Sequence, residues 1–90
     1  MKEKHFYQSV VMHHFYVSSN ENLNIIESDI IRGVKAYYVE WVYEMEKHRM
    51  YMTKEEIKYV ADAMMAFVGD NDESTKAWKN LYKECDIVLQ

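Results

Sequence analysis

The segment KAYYVEWVYEM, residues 35–45, most constrains how this chain can fold, because it is apolar nearly all the way round. At about 100° per residue, Tyr37 and Trp41 lie on one face of a helix. Val39 and Tyr43 then fall on nearly the opposite face. Two apolar faces on one helix need two sets of covering elements. The segment therefore predicts a helix that is covered from two sides.

The same helical pattern extends over residues 21–50. From Leu23 to His48, apolar residues recur at steps of three and four, which is typical of a coiled-coil seam. At a rise of 1.5 Å per residue, an unbroken helix would be about 45 Å long. Gly33 is costly inside a helix and indicates a kink or the close approach of a neighbour. We therefore expect one long helix as the spine of the fold.

A shorter helix is predicted over residues 54–68. Thr53 and Glu56 have the spacing of a capping box at its start. Gly69 follows its last residue, where a left-handed C-cap is favoured. The apolar residues between these ends follow the i, i+3, i+4 rule, so the helix is amphipathic.

A last helix is predicted after an acidic turn. Asn71 or Asp72 can cap it, and the acidic residues complement the positive end of its dipole. Its lysines form a polar stripe opposite the apolar one. The apolar stripe consists of Trp78, Leu81, Tyr82, Cys85 and Val88 or Leu89.

The N-terminal segment HFYQSVVMHHFYV, residues 5–17, has two interpretations. Its β-branched and aromatic residues favour a strand. However, no second strand or hairpin turn is predicted elsewhere, and an isolated strand leaves its hydrogen-bonding groups unpaired. We favour a helix over residues 4–17, and the strand alternative would make the protein an intermolecular sheet former.

These patterns together predict an all-α fold, in which residues 1–90 form a single domain. We expect a small bundle of three or four helices around the long central helix. The absence of proline and the presence of only two glycines also disfavour turn-rich β folds. A chain of 90 residues has a thin core. Since Cys85 is the only cysteine, no disulfide within the chain supplements that core.

Composition weighs against several classes of partner. The net charge of −4 disfavours nucleic acid, since phosphate contacts need a basic surface. A hydrophobic content of 49% is too high for a disordered chain. We find no secretory leader and no apolar run long enough to span a membrane. The sequence thus predicts a soluble cytoplasmic protein without a membrane partner.

No motif predicts catalysis, a cofactor, a metal site or a small-molecule substrate. The four histidines lack ligand spacing, and the adjacent His13 and His14 would point about 100° apart on a helix. Cys85 lies on the apolar stripe of the last helix, where a cysteine usually serves packing. We therefore predict that the protein is not an enzyme.

A DNA-binding regulator is the alternative hypothesis. The last two predicted helices, joined by GDND, have helix-turn-helix spacing. Asp70, Asp72 and Glu73 argue against it, because they lie where phosphates would repel them. The candidate recognition residues are Ser74, Thr75, Lys76, Lys79, Asn80 and Lys83.

The excess of apolar surface favours protein–protein interaction. Tyrosine is enriched in interfaces because it buries area and keeps a polar tip. We predict a non-enzymatic adaptor, inhibitor or regulator that binds another protein and forms a homodimer through its Val39/Tyr43 side. The bias towards Tyr, Met, Ile, Lys and Asn is typical of small accessory genes of AT-rich bacteria, phages or mobile elements. The predicted partner-binding residues are Val39, Tyr43, Tyr51, Tyr59, Met64 and Met65.

Overall fold

The computed structural model describes residues 12–88 and shows a mixed α/β fold. Three strands form an antiparallel sheet in the order β1-β2-β3, and two helices follow them in the chain. A helical turn at residues 12–15 and a 3₁₀ turn at Asn20–Asn22 precede the sheet. The elements are β1 (Leu23–Ile31), β2 (Val34–Tyr43), β3 (Glu46–Met52), α1 (Lys54–Val68) and α2 (Glu73–Val88).

The prediction of an all-α bundle around a long central helix is wrong. The segment 21–50, predicted as one helix, contains β1, β2 and most of β3. In β2, Tyr37, Val39 and Trp41 are all buried on one face. A period of two residues places these three side chains together, whereas a helix would have separated Val39 from the other two. The two apolar faces expected of a helix, Tyr37/Trp41 and Val39/Tyr43, are therefore a single face of a strand.

Two-residue turns connect the strands, and both have left-handed backbone. The φ angles are 53° at Arg32 and 78° at Gly33, and 50° at Glu44 and 65° at Met45. Positive φ at both central residues is the type I′ geometry, whose twist matches that of the flanking strands. Gly33 is thus a hairpin residue and not the kink of a helix. The second turn lacks the Asn, Asp or Gly that usually indicates such a hairpin.

Both C-terminal helices are confirmed. At the start of α1, the Thr53 hydroxyl accepts a hydrogen bond from the Glu56 N–H at 3.2 Å. The Glu56 carboxylate accepts from the Thr53 N–H at 2.9 Å, which completes the capping box. Gly69 ends α1 with a φ of 97°. The Asp72 carboxylate accepts from the Ser74 N–H at 2.9 Å at the start of α2.

The N-terminal helix predicted over residues 4–17 lies partly outside the described residues. Within the described part, residues 12–15 are helical and Met12 and Val17 are buried. The Val17 N–H donates a hydrogen bond to the Ser74 hydroxyl at 3.1 Å. This contact joins the start of the described chain to the start of α2.

The core contains two tryptophans that also fix the segment before the sheet. The rings of Trp41 and Trp78 are 6.4 Å apart, and the Phe15 ring lies within 5.8 Å of both. The Trp41 Nε1 donates to the His14 carbonyl and the Trp78 Nε1 to the Phe15 carbonyl, each at 3.0 Å. Among the described residues, every buried side-chain nitrogen or oxygen has a hydrogen-bond partner. Residues 12–17 are therefore an integral part of the fold.

Candidate interaction surface

The sheet has an inner face, which packs against the helices, and an opposite side that we call the outer face. In an antiparallel pair, directly opposite residues lie on the same face. Several outer-face side chains are exposed, including Val34 at 51% and Tyr51 at 40%. By register, the outer face carries Asn24, Glu27, Asp29, Ile31, Val34, Ala36, Tyr38, Glu40, Val42, Lys47, Arg49 and Tyr51.

Two tyrosines lie side by side on the outer face, Tyr38 on the central strand and Tyr51 on the edge strand β3. The rings of Tyr38 and Tyr51 are 4.6 Å apart, with an angle of 31° between their planes. The Tyr51 hydroxyl donates a hydrogen bond to the Glu27 carboxylate at 3.2 Å. Desolvation, followed by this carboxylate, raises the pKa of Tyr51 above its usual value. These contacts cross all three strands and hold the aromatic side chains in place.

An ion pair lies beside the tyrosines. The Arg49 Nε is 2.8 Å from the Glu40 Oε2. The Glu40 side chain is largely covered, whereas about half of the Arg49 side chain is accessible. The hydrogen bond to Glu40 raises the pKa of Arg49. The guanidinium therefore keeps one side on the protein and the other in solvent.

The tip of the β1–β2 hairpin is apolar on both faces. Ile31 pairs with Val34 on the outer face, and both are exposed. Ile30 pairs with Lys35 on the inner face, yet 65% of Ile30 is accessible. The helices therefore do not cover this end of the hairpin. Exposed apolar side chains that cluster in this way are typical of binding surfaces.

The free edge of β1 is less suited to binding than the outer face. The pairing of β1 with β2 is interrupted by an irregularity between Ile25 and Glu27. Beyond it, the Asp29 carboxylate accepts a hydrogen bond from the Ile30 N–H at 2.7 Å. Bulges and local carboxylates are among the features that prevent edge strands from pairing with other chains. The edge of β1 is therefore protected from pairing with another chain.

A second cluster of aromatic side chains and histidines lies at the other end of the sheet. The His14 ring is 4.9 Å from the rings of Tyr43 and His48 and 5.6 Å from that of Trp41. Burial, then the charge of His48, lowers the pKa of His14, and Glu44 opposes this shift. The imidazole of His14 therefore favours its neutral form.

An open cleft of about 360 Å³ adjoins this cluster. Its polar lining includes His13, whose Nδ1 is 3.3 Å from the Tyr43 hydroxyl. Glu44 and the almost fully exposed Met45 form part of its rim. Within residues 12–88, no three His, Cys, Asp or Glu side chains are placed to hold a metal ion. The cleft therefore offers hydrogen bonds and aromatic surface to a ligand.

The structure separates the six residues predicted to bind a partner. Val39 and Met64 are fully buried in the core, so neither is available on the surface. Tyr43 is half-buried beside His14. The predicted homodimer interface on the Val39/Tyr43 side is thus covered by the chain's own residues. This happens because Val39 shares the inner face with Tyr37 and Trp41.

The other three predicted residues are exposed but do not form one surface. Tyr51 belongs to the outer face, whereas Tyr59 and Met65 lie on α1. Ile31, Val34 and Tyr38 also lie on the outer face and were not among the predicted residues. Both faces of β2 are mostly apolar, so no alternation of apolar and polar residues in the sequence marks the outer face.

Cys85 is buried in the core, as predicted from its position on the apolar stripe. Its Sγ contacts the Leu81 carbonyl at 3.5 Å. Burial raises the pKa of the Cys85 thiol to about 11. Since the thiolate is the nucleophilic form, this cysteine is unreactive at neutral pH in the folded chain.

Two of the candidate recognition residues for DNA are inaccessible. Ser74 and Thr75 are fully buried. The Thr75 hydroxyl donates to the Gly69 carbonyl at 2.6 Å, and Ser74 binds the backbone of Val17. These hydroxyls stabilise the start of α2 and its contact with the N-terminal segment, so they cannot contact bases.

Comparisons with known proteins add no homologue. No family model, curated protein or solved structure is significantly similar to this chain. Within the described residues, no helix is both long enough and apolar enough to cross a membrane. Function is therefore inferred from the surface of the chain itself.

Proposed function

We propose that this protein is a non-enzymatic interaction module, an adaptor, inhibitor or regulator, that binds other proteins through the outer face of its sheet. The observation that carries the proposal is the aromatic and aliphatic surface formed by the exposed Tyr51, Ile31 and Val34 and the half-buried Tyr38. Polar and charged side chains surround it, as is typical of protein-binding patches.

The contacts among the outer-face side chains support this proposal. Tyr51 is held by its contacts with Tyr38 and Glu27, and Arg49 is held by Glu40. Side chains that are already ordered lose less conformational entropy on binding. The outer face thus provides aromatic and arginine anchors, which dominate binding energy at many interfaces.

We also propose a cytoplasmic location. The chain has one cysteine, and it is a buried free thiol with no second thiol in the sequence. A protein that does not use disulfides is suited to a reducing compartment. The proposed partners are therefore other cytoplasmic proteins.

Site-specific photo-crosslinking in the native host tests the proposed function. A photoreactive phenylalanine analogue replaces Tyr51 on the outer face in one variant and Tyr59 on α1 in a matched control. Both positions are exposed tyrosines, so both present the probe to solvent. We expect protein adducts from position 51 and few from position 59. Equal labelling at both positions contradicts the proposal, and an adduct that nuclease removes would support the DNA-binding alternative.

A further inference from the structure

The two edges of the sheet differ in regularity. The β1 edge carries the irregularity between Ile25 and Glu27, whereas all seven residues of β3 pair with β2 without interruption. Within the part of the chain that the structure describes, β3 pairs with no strand other than β2. Only the last residue of β3 is buried. The β3 edge is therefore the one that is open to a further strand.

The β2–β3 turn fixes which backbone groups of β3 point to the free edge. Glu44 and Met45 are its central residues, so Tyr43 and Glu46 form the hydrogen-bonded pair that closes it. Bonded and non-bonded pairs alternate along an antiparallel ladder, so every second residue of β3 directs its N–H and C=O away from β2. In residues 12–88, no turn or loop backbone hydrogen bond involves these outward residues. They are Lys47, Arg49 and Tyr51.

The side chains of the outward residues all lie on the outer face. Lys47 and Arg49 are exposed cations, and Met50 is an exposed apolar residue on the opposite side of the strand. Cations on an edge strand oppose pairing with a strand of the same charge. Opposite charges at facing positions instead stabilise the pair. The β3 edge is therefore complementary to a strand that is acidic on one side and apolar on the other.

We propose that the β3 edge binds an extended acidic peptide segment of another protein, which joins the sheet as a fourth, antiparallel strand. Its carboxylates lie opposite Lys47 and Arg49, and its alternate apolar side chains lie beside Met50. Antiparallel pairing continues the pattern of this sheet and is slightly more stable per residue than parallel pairing. Addition of a strand to a sheet edge is a recurring mode of peptide recognition. The inference rests on the proposed function, since the added strand extends the outer face.

Fluorescence anisotropy with the unaltered chain tests the charge preference. The probe is a fluorescein-labelled peptide, Thr-Val-Glu-Val-Glu-Val-Thr, and its matched control has lysine in place of both glutamates. We expect the lysine peptide to bind at least about tenfold more weakly, because like charges would face each other across the strands. Lys47→Glu with Arg49→Glu should reverse this preference. Lys76→Glu with Lys83→Glu changes the net charge equally on the exposed side of α2 and should leave the preference unchanged.

Methylated peptides distinguish strand pairing from simple charge attraction. In the antiparallel pair, the peptide residues opposite Lys47 and Arg49 exchange backbone hydrogen bonds with them, so the glutamate N–H groups point towards β3. Methylation of both glutamate nitrogens should weaken binding at least about tenfold, because two donors are lost. Methylation of the valine nitrogens, which point away from β3, should change binding less than about threefold.

A proline in the middle of β3 provides the same test on the protein. Arg49→Pro removes an N–H that points away from β2, so the ladder between β2 and β3 is retained, as is usual for proline on edge strands. Arg49→Ala is the matched control, since it also removes the charge and the contact with Glu40 but retains the N–H. We expect the glutamate peptide to bind Arg49→Pro at least about tenfold more weakly than Arg49→Ala. Far-UV circular dichroism checks that each variant folds.

Several outcomes would overturn the β3-edge proposal. They are equal binding of the glutamate and lysine peptides, binding that survives methylation of the glutamate nitrogens, and no binding of the glutamate peptide up to about 1 mM. A dimer of the unaltered chain that Arg49→Pro dissociates, measured by sedimentation velocity, would make a second copy the occupant of this edge instead.

The proposed function is tested separately by the photoreactive probe at Tyr51. If the glutamate peptide does not bind but the probe captures a host protein, the β3-edge proposal fails and the proposed function stands. If the peptide does not bind and the probe labels positions 51 and 59 equally, both fail.

Discussion

The two faces of the sheet are built from similar residues, yet they differ in how their polar groups are used. On the inner face, the Tyr37 hydroxyl donates to the Cys85 carbonyl at 3.2 Å, and Trp41 donates to a backbone carbonyl in the same way. On the outer face, the Tyr51 hydroxyl donates to the exposed Glu27 carboxylate. The polar atoms of the buried aromatic side chains thus bind backbone carbonyls, whereas the Tyr51 hydroxyl on the outer face binds a charged side chain. The partners of an aromatic residue, more than its type, indicate whether it belongs to the core or to an interface.

The sharpest test of this difference truncates one aromatic residue on each face. Trp41→Ala removes a side chain that is 2% exposed, and we expect a loss of about 3–5 kcal/mol in the free energy of unfolding. Tyr51→Ala removes a side chain that is 40% exposed, and we expect a loss below about 1 kcal/mol. Chemical denaturation monitored by circular dichroism measures both. Similar losses for the two variants would contradict the assignment of the faces.

A second test compares two valines of the same strand. Val39 is fully buried on the inner face, and Val42 is half-buried on the outer face. Val39→Ala removes two methyl groups from a packed core, which should cost about 2 kcal/mol. We expect Val42→Ala to cost less than about 0.5 kcal/mol, as is usual for surface substitutions. Denaturant midpoints of the two variants measure these losses. If Val42→Ala lowers the free energy of unfolding more than Val39→Ala does, the assignment of these valines to the two faces of β2 is wrong.

The sequence was sufficient to predict the two C-terminal helices because their signals are local. The hydrogen bonds between Thr53 and Glu56 need only residues within one turn, and Gly69 ends the helix through its own backbone. The apolar stripe of α2 also matched the core, since Trp78 and Leu81 are both buried. Local capping and amphipathic spacing therefore agreed with the tertiary structure.

The sheet could not be predicted by the same means. Ile26, Ile30 and Val34 fitted a helical seam by spacing, yet all three are exposed in β1 and β2. Their spacing was therefore compatible with a helix without being caused by one. The Glu44–Met45 turn also lacks the residues that usually indicate a hairpin, so the sequence does not predict the pairing of β2 with β3. Strand pairing depends on contacts across the sheet that a local pattern does not contain.

The interaction surface was predicted only in part, for the same reason. Tyr51 was correctly chosen as an exposed residue, whereas Val39 and Met64 are in the core. A helical interpretation places residues on the wrong faces, so it cannot tell which tyrosine is accessible. Because side chains alternate along a strand with a period of two residues, Tyr37 lies on the inner face and Tyr38 on the outer face.

The adjacent Tyr37 and Tyr38 provide a finer test of the two faces. Tyr37→Phe deletes a buried hydroxyl that donates to the Cys85 carbonyl, and we expect a loss of about 1 kcal/mol. Tyr38→Phe retains the ring contact with Tyr51, so we expect almost no change in stability. Thermal unfolding of the two variants measures the difference. Equal melting temperatures would show that the inner hydrogen bond adds nothing to stability.

The smallest expected effect is a pH dependence that arises at the end of the inner face. His14 is packed among Tyr43, Trp41 and His48, with Glu44 and His13 as the other titratable groups near it. Burial and the charge of His48 lower its pKa from 6.5 in the folded chain. The unfolded chain therefore binds more protons below pH 6.5, and stability is lost as the pH falls through the folded pKa. Above pH 6.5 this contribution to stability is fully present.

Replacing His14 by phenylalanine should reduce this acid sensitivity, because an aromatic ring remains against Tyr43 and Trp41 but carries no proton. Denaturant titrations at pH 7 and pH 5 give the change in the free energy of unfolding between the two conditions. We expect that change to be smaller for His14→Phe than for the unaltered chain. The matched control is His13→Phe, which also removes one histidine but at the exposed neighbouring position. If His14→Phe and the unaltered chain lose equal stability between pH 7 and pH 5, His14 is not responsible for the acid sensitivity.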